Sequence, residues 1–224
     1  MTGKGMRMGL AALCLLAAWM GSASAADWQI LFDGRSLQGW SYFTDKAGAK
    51  VEDTFRVKDG ILVCTGIPTG FIYTQKKYRD FELSVEYRWA PGVAPTNSGI
   101  FLRVNSELKV LPRGIEHQLK HGSAGDLIGF HGMKLEGEAS RFRLTPDHKL
   151  GGELRALTKT ADAEKPAGEW NRVEIRLQGG SLQTRINGTP VNEARGVEAI
   201  SGAVGLQSEG GEVHFRNVKL LPLD

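Results

Sequence analysis

Glu86, Arg103, Glu116, Gln118 and Lys120 lie in three neighbouring stretches in the middle of the chain. Two carboxylates, two cations and an amide are groups that can hold a polar ligand such as a sugar. All five fall on the polar parity of segments that alternate with period two. In FELSVEYRW (81–89), Phe81, Leu83, Val85 and Tyr87 share one face, and Glu82, Ser84, Glu86 and Arg88 the other. In SGIFLRV, Ile100, Leu102 and Val104 oppose Gly99, Phe101 and Arg103; in GIEHQLK, Ile115, His117 and Leu119 oppose Glu116, Gln118 and Lys120. If the three stretches lie side by side in one sheet, their polar faces form one floor. A solvated outer sheet face produces the same alternation, and the pattern alone leaves both readings open.

The elements that must position these residues are strands. No long segment has helical periodicity. Short runs of Val, Ile, Leu, Phe and Tyr are separated by Lys58-Asp59-Gly60, Pro91-Gly92, Gly151-Gly152, Gly179-Gly180, Asn187-Gly188 and Gly210-Gly211. Regular short strands with glycine-rich turns predict an all-β sandwich or barrel. Asn187-Gly188 between LQTRI and TPVNE predicts a hairpin, because both central positions of a type I′ turn need positive φ. Asp59-Gly60 between FRV and ILV predicts a second. Residues 158–168 are polar and read as a loop. With no fixed-period repeat and no interdomain linker, residues 26–224 are expected to form one β domain.

Residues 1–25 read as a secretory signal peptide. Lys4 and Arg7 form a positive region, residues 9–20 an apolar one, and Ala23-Ser24-Ala25 a small-residue cleavage site. The apolar run is short for a membrane span. The expected location is therefore periplasmic or secreted, with no transmembrane span in the mature chain. Loss of Lys4 and Arg7 from 28 basic residues leaves 26 against 25 acidic ones. A nearly neutral chain without a clustered basic face argues against a nucleic-acid partner. Cys14 falls in the leader, so Cys64 has no internal disulfide partner. Its setting in Ile61-Leu62-Val63-Cys64 reads as a buried structural thiol.

Several segments together resemble the 3-keto-disaccharide hydrolase domain family of exported bacterial proteins. They are LFDGRSLQGW (31–40), FRVKDGIL (55–62), YRDFELSVEYR (78–88), NSGIFLRV (97–104), KPAGEWNRVEI (165–175), INGTPV (186–191) and VHFRNVKL (213–220). The resemblance covers nearly all of the mature chain in the family's order. It implies a concanavalin-like or laminin-G-like jelly roll, a sandwich of two antiparallel sheets. Some family motifs have a packing reading of their own. Asp33-Gly34 and Gln38-Gly39 bracket a turn anchored by Leu31, Phe32, Leu37 and Trp40, and Trp170 in GEWN reads as a packing corner.

The resemblance further implies action on glycosides already oxidised to a ketone at C3. That ketone acidifies the C2 proton, so the aglycone can be eliminated from C1 and water can add afterwards. The route needs a base at C2, a stabiliser for the enolate oxygen and an acid near the leaving oxygen. It does not need the fixed carboxylate pair of an ordinary glycosidase. Glu116 and Gln118 occupy the family's G-x-E-x-Q-like strand. Glu116 is the candidate general base or metal ligand, and Gln118 the candidate holder of a hydroxyl. Arg103 would stabilise the enolate or simply pair with Glu116.

Glu86, Asn97, Lys120, Asp126 and His131 complete the expected substrate contacts. His117 and Lys120 depart from the apolar or acidic residues common in relatives, and His117 falls on the apolar parity expected of a core histidine. The segment HGSAGDLIGFHGMK adds His121, Asp126 and His131 as a loop over the site. With Glu116 these are metal-competent types and candidates for a divalent ion, although their spacing matches no zinc motif. His148 and His214 read as structural or surface residues, and Ser98 and Ser123 lack a nucleophile-elbow context. Two other readings remain: a non-catalytic carbohydrate-binding jelly roll, and an interaction or structural module of the cell envelope.

Overall fold

The computed structural model describes residues 28–223. The expected signal peptide and its cleavage after Ala25 lie outside the described residues. In chain order the strands are β1 (Gln29–Ile30), β2 (Trp40–Thr44), β3 (Phe55–Lys58), β4 (Ile61–Cys64), β5 (Gly70–Thr74), β6 (Phe81–Trp89), β7 (Gly99–Val104) and β8 (Ile115–Gln118). They continue as β9 (Leu127–Gly129), β10 (Phe142–His148), β11 (Gly152–Leu157), β12 (Asn171–Gln178), β13 (Ser181–Ile186), β14 (Thr189–Ala194), β15 (Ala203–Ser208) and β16 (Val213–Pro222). A single helical turn, α1 (Val51–Thr54), precedes β3. Among the described residues no helix is long and apolar enough to cross a membrane.

The strands form two antiparallel sheets packed face to face, as alternation and turn chemistry predict. Sheet I has the order β14-β13-β12-β6-β16-β4-β3, with β1 added beside β16; sheet II has the order β10-β11-β9-β8-β7-β15-β5-β2. Both predicted hairpins form. Asp59 and Gly60 have φ of 50° and 76°, and Asn187 and Gly188 of 53° and 81°, the left-handed pair a type I′ turn needs. The opening motif also folds as a turn: Asp33 Oδ1 accepts the Arg35 and Ser36 N–H groups, and the Trp40 indole donates to Leu31 O.

The main core lies between the sheets. Phe81, Leu83, Val85, Tyr87 and Trp89 from β6 face Ile100, Leu102, Ile115 and Leu119 of sheet II. Cys64 is buried with them, its thiol pushed up to about 12 by burial and donating weakly to Gln207 O across the sandwich at 3.8 Å. A second apolar cluster, Phe71, Phe101, Val104, Phe130 and Ala203, lies on the outer face of sheet II. Phe43, Tyr73, Ile128 and Leu154 flank it, and Leu108 and Leu111 from the β7–β8 connection pack against it.

One expectation about the site changes at this level. The three alternating stretches do not share a floor, because β6 belongs to sheet I whereas β7 and β8 pair in sheet II. The polar faces of the two sheets point outward in opposite directions, away from the common core. Glu86 is thereby separated from Glu116 by the thickness of the sandwich.

Candidate functional site

The outer face of sheet II carries the strand residues with unspent chemistry. Phe101 pairs with Glu116 and Gly99 with Gln118 across β7 and β8. On the other side of β7, Gly205 pairs with Phe101, and an isolated bridge joins Asn97 to Glu209. The same register sets Gln207 opposite Gly99. Asn97, Gly99, Glu116, Gln118, Gln207 and Glu209 therefore share one face of three adjacent strands.

The hydrogen bonds within this group leave three oxygens over. Gln207 donates from Nε2 to Glu209 Oε2 at 2.7 Å, which turns its own Oε1 away. Gln207 Oε1, Glu116 Oε1 and Asn97 Oδ1 are buried, and no protein donor reaches them among the described residues. Gln118 Oε1 accepts the Lys120 N–H at 2.8 Å, so the Gln118 amide still offers its two N–H donors. Glu116 is 2% exposed. Burial, and then the negative charge of Glu209, raise its carboxyl well above the usual carboxylate range. Three buried acceptors beside an amide donor suit a ligand rich in hydroxyl groups.

Arg103 does not take part in this arrangement. A bulge shifts the β7–β15 register between Ala203 and Gly205, and Arg103 adopts a φ of 52° within it. The bulge breaks the period-two parity, so that Val104 joins Phe101 on the outer face. The Arg103 side chain is fully buried. It donates to Arg79 O at 2.7 and 2.9 Å, to Gly179 O at 3.1 Å and to Glu198 O, and pairs with Asp80 at 3.0 Å. These bonds use the guanidinium as an internal clamp on three loops, and it makes no pair with Glu116.

The remaining predicted contacts are dispersed. Glu86 stands on the outer face of sheet I, accepting from Arg216 at 2.7 Å, Asn217 at 3.1 Å and Arg172 at 3.2 Å. Burial alone would raise its pKa, but these donors outweigh it and hold the carboxyl below its ordinary value. Lys120 is exposed beyond β8. Asp126 accepts the Lys159 N–H at 2.8 Å, and partial burial raises its pKa. His131 donates from Nε2 to Leu111 O at 2.8 Å, fastening the β7–β8 connection to the turn after β9. Among the described residues no three His, Cys, Asp or Glu side chains gather into a metal-binding group, so the four metal candidates do not converge.

The other histidines take the structural places expected of them. His117 is buried in the core with neither ring nitrogen partnered among the described residues, and burial lowers its pKa to about 3. His148 Nδ1 accepts the Gly151 N–H, and His214 lies between Glu212 and Arg88. Trp170 is a packing corner: the guanidinium groups of Arg216 and Arg88 lie 4.0 and 4.7 Å from its ring centre.

A groove of about 1100 Å³ runs along the outer face of sheet I, lined by Trp28, Asp33, Arg35, Ser84, Glu86, Glu174 and Lys219 among others. Its Glu86 is already saturated by two arginines and an amide, and the Lys219 ammonium covers the Trp28 ring at 4.8 Å. Sheet II holds Glu116, whose buried Oε1 has no partner among the described residues. It is the better candidate for chemistry.

Three residues escaped the sequence reading. Gln207 and Glu209 lie two apart at the end of β15, where alternation through GLQSE could have flagged them. Glu164 lies in the polar 158–168 loop and carries no local signal at all. Its Oε1 accepts the Tyr87 hydroxyl and the Trp89 indole N–H, each at 3.0 Å, and its Oε2 accepts His121 Nδ1 at 2.9 Å.

Comparison with known proteins agrees with this architecture. The profile of the 3-keto-alpha-glucoside-1,2-lyase-like domain matches residues 27–221. Among solved structures, a presumed glycosyl hydrolase of Parabacteroides distasonis is similar, with a TM-score of 0.64 at 22% identity over 89% of this chain and 95% of that one. The carbohydrate-binding module CBM66 of Bacillus subtilis superposes with a TM-score of 0.58 at 13% identity, covering 82% of this chain and 95% of the module. The Emp47p carbohydrate recognition domain gives 0.57 at 12% identity, covering 89% of this chain and 99% of the domain. At these identities the likeness shows the fold, a concanavalin-like sandwich. No curated protein matches the chain.

Proposed function

The chain belongs to the 3-keto-alpha-glucoside-1,2-lyase-like domain family, and from that premise we propose that it cleaves 3-keto-glycosides by elimination across C1 and C2. Its carbohydrate-related role follows from the family; the reaction and its residues are our reading. The observation that carries it is Glu116, a buried carboxyl with one oxygen unpartnered among acceptors suited to sugar hydroxyls.

In this reading Glu116 takes the C2 proton. The C2–H electron pair forms the C2–C3 double bond and charge moves onto the C3 oxygen. Return of that charge forms the C1–C2 double bond and breaks the bond from C1 to the aglycone oxygen, which must gain a proton. Burial and Glu209 raise the Glu116 carboxyl, and a raised pKa makes its ionised form a stronger base than an ordinary carboxylate. The free N–H groups of Gln118 would support the enolate oxygen or a hydroxyl, while Asn97 Oδ1 and Gln207 Oε1 would accept hydroxyl protons. Water can then add to the unsaturated ketone, giving net hydrolysis. We place the reaction outside the cytoplasm, on the strength of the leader-like residues 1–25.

The test is incubation of purified mature protein with 3-keto-disaccharides, following the released sugar and the unsaturated ketone, beside Glu116→Gln. Release by the parent and loss of at least about 10²-fold in the variant is the expected result. Binding of sugars without release from any 3-keto-glycoside would leave a non-catalytic carbohydrate-binding module. An unchanged rate in Glu116→Gln would remove Glu116 from the reaction.

A further inference from the structure

We propose that Glu209 sets the hydrogen-bonding sense of the site, by fixing the Gln207 amide so that it offers its oxygen to a hydroxyl of the keto sugar; the proposal rests on the substrate reading above. The two residues lie two apart where β15 ends, and so share the outer face of sheet II. Gln207 is fully buried. Glu209 is half-buried and bridged to Asn97 on the neighbouring segment.

The direction of the amide follows from what each group can do. An ionised carboxylate only accepts hydrogen bonds, whereas a glutamine amide has one donating end and one accepting end. Gln207 Nε2 donates to Glu209 Oε2 at 2.7 Å. With the amide reversed, two oxygens would face each other with no proton between them. The Gln207 donor is thus committed to Glu209. Its Oε1 is left buried, with no partner among the described residues. A buried acceptor without a donor is costly, and a ligand hydroxyl removes that cost.

Gln207 also stands beside Glu116. The register that pairs Leu206 with Ile100 and bridges Glu209 to Asn97 sets Gln207 opposite Gly99. Directly opposed Cβ positions are about 4.5–5.5 Å apart. Glu116 Oε1 lies 2.1 Å from where a Gly99 Cβ would stand. It is therefore no more than about 8 Å from Gln207 Cβ, a gap that one sugar ring with its hydroxyls can bridge. After burial, the charge of Glu209 is what raises the Glu116 carboxyl, in keeping with this closeness. A hydroxyl at this position donates to Gln207 Oε1, whereas a fluorine, which cannot donate, leaves that oxygen unpaired.

The experiment compares kcat/KM of the parent, Glu209→Lys and Glu209→Ala on a 3-keto-disaccharide and three analogues. In these, fluorine replaces the C2, C4 or C6 hydroxyl of the keto sugar. Intrinsic reactivity of each analogue cancels when variant and parent are compared. At one of these carbons the hydroxyl-to-fluorine ratio should be about 10- to 100-fold higher in the parent than in Glu209→Lys. The lysine ammonium only donates, so Gln207 Oε1 turns to it and Nε2 meets the sugar. Glu209→Ala, which leaves the amide untethered, should lower the ratio at the same carbon, and serves where the lysine variant folds poorly. Unchanged ratios at all three carbons, with or without a general loss of rate, would overturn this role of Glu209 and leave the elimination reading intact. If the parent releases no sugar, dissociation constants for the same four sugars replace the rates. A ratio lost in the variants would then uphold Glu209 while sinking the elimination, and a parent that binds none of the four would overturn both.

Discussion

The Glu116 carboxylate lies over Gly99, its diagonal neighbour across the β7–β8 ladder, in the space a side chain would otherwise fill. A Cβ placed on Gly99 would overlap Glu116 Oε1 and crowd its Cγ and Cδ. Glycine here is a matter of room, since no unusual φ is involved.

Gly99→Ala should therefore act on Glu116. Overpacking of this kind costs about 1–3 kcal/mol, and a carboxylate moved by an ångström loses about 10²-fold in rate. Urea midpoints together with turnover of a 3-keto-disaccharide test this. A variant with unaltered rate would mean that Glu116 works from another rotamer or not at all.

Glu116→Gln should separate stability from activity. Burial and Glu209 raise the folded-state pKa of Glu116 above its usual 4.5. Its contribution is thus fully present below pH 4.5 and is lost as pH rises through the folded value. The neutral glutamine lacks that loss, so the variant should be more stable than the parent at neutral pH and similar to it in acid. Unfolding midpoints across this range provide the check; parallel pH curves for the two proteins would contradict it.

His117 acts with the opposite sign. Burial lowers its pKa from 6.5 to about 3, so the stability tied to its neutral form is present above pH 6.5 and declines as pH falls toward 3. At pH 5 the loss amounts to about 2 kcal/mol. His117→Leu, which also removes two unpartnered ring nitrogens from the core, should flatten this acid limb. Equal acid sensitivity in parent and variant would show that His117 is protonated in the fold.

Arg103→Met should unfold the protein more easily without a selective effect on turnover. Removing the guanidinium breaks the Asp80 pair and takes the side-chain donor from three loop carbonyls, although Asp80 keeps the Gly179 N–H; breaking a buried pair costs about 3–5 kcal/mol. Denaturant unfolding, with KM measured well below the melting temperature, distinguishes the roles. A loss of kcat at unchanged stability would return Arg103 to the catalytic set.

How far the sequence could be read follows from which forces are local. Alternation and the Asn187-Gly188 and Asp59-Gly60 turns are local, and from them the strands, both hairpins and the all-β class were legible. Glu116 and Gln118 share a face of β8, as their parity predicts. Parity failed at Arg103, since a bulge is set by the partner strand, here through the Ala203–Gly205 shift. It also failed to show that the chain changes sheet between β6 and β7, which strands Glu86 on the far face. Glu164 was beyond reach because its partners Tyr87, Trp89 and His121 come together only when the two sheets close.

Cys64 offers a way to watch that closure. Its sulfur sits between β4 of one sheet and Gln207 of the other, and its proton is held so firmly that almost no thiolate exists in the folded state. A thiol reagent can consume it only after the layers part. Labelling of the mature chain, where Cys64 would be the sole thiol, would thus time the separation of the layers, and a sugar bound on sheet II should slow that clock.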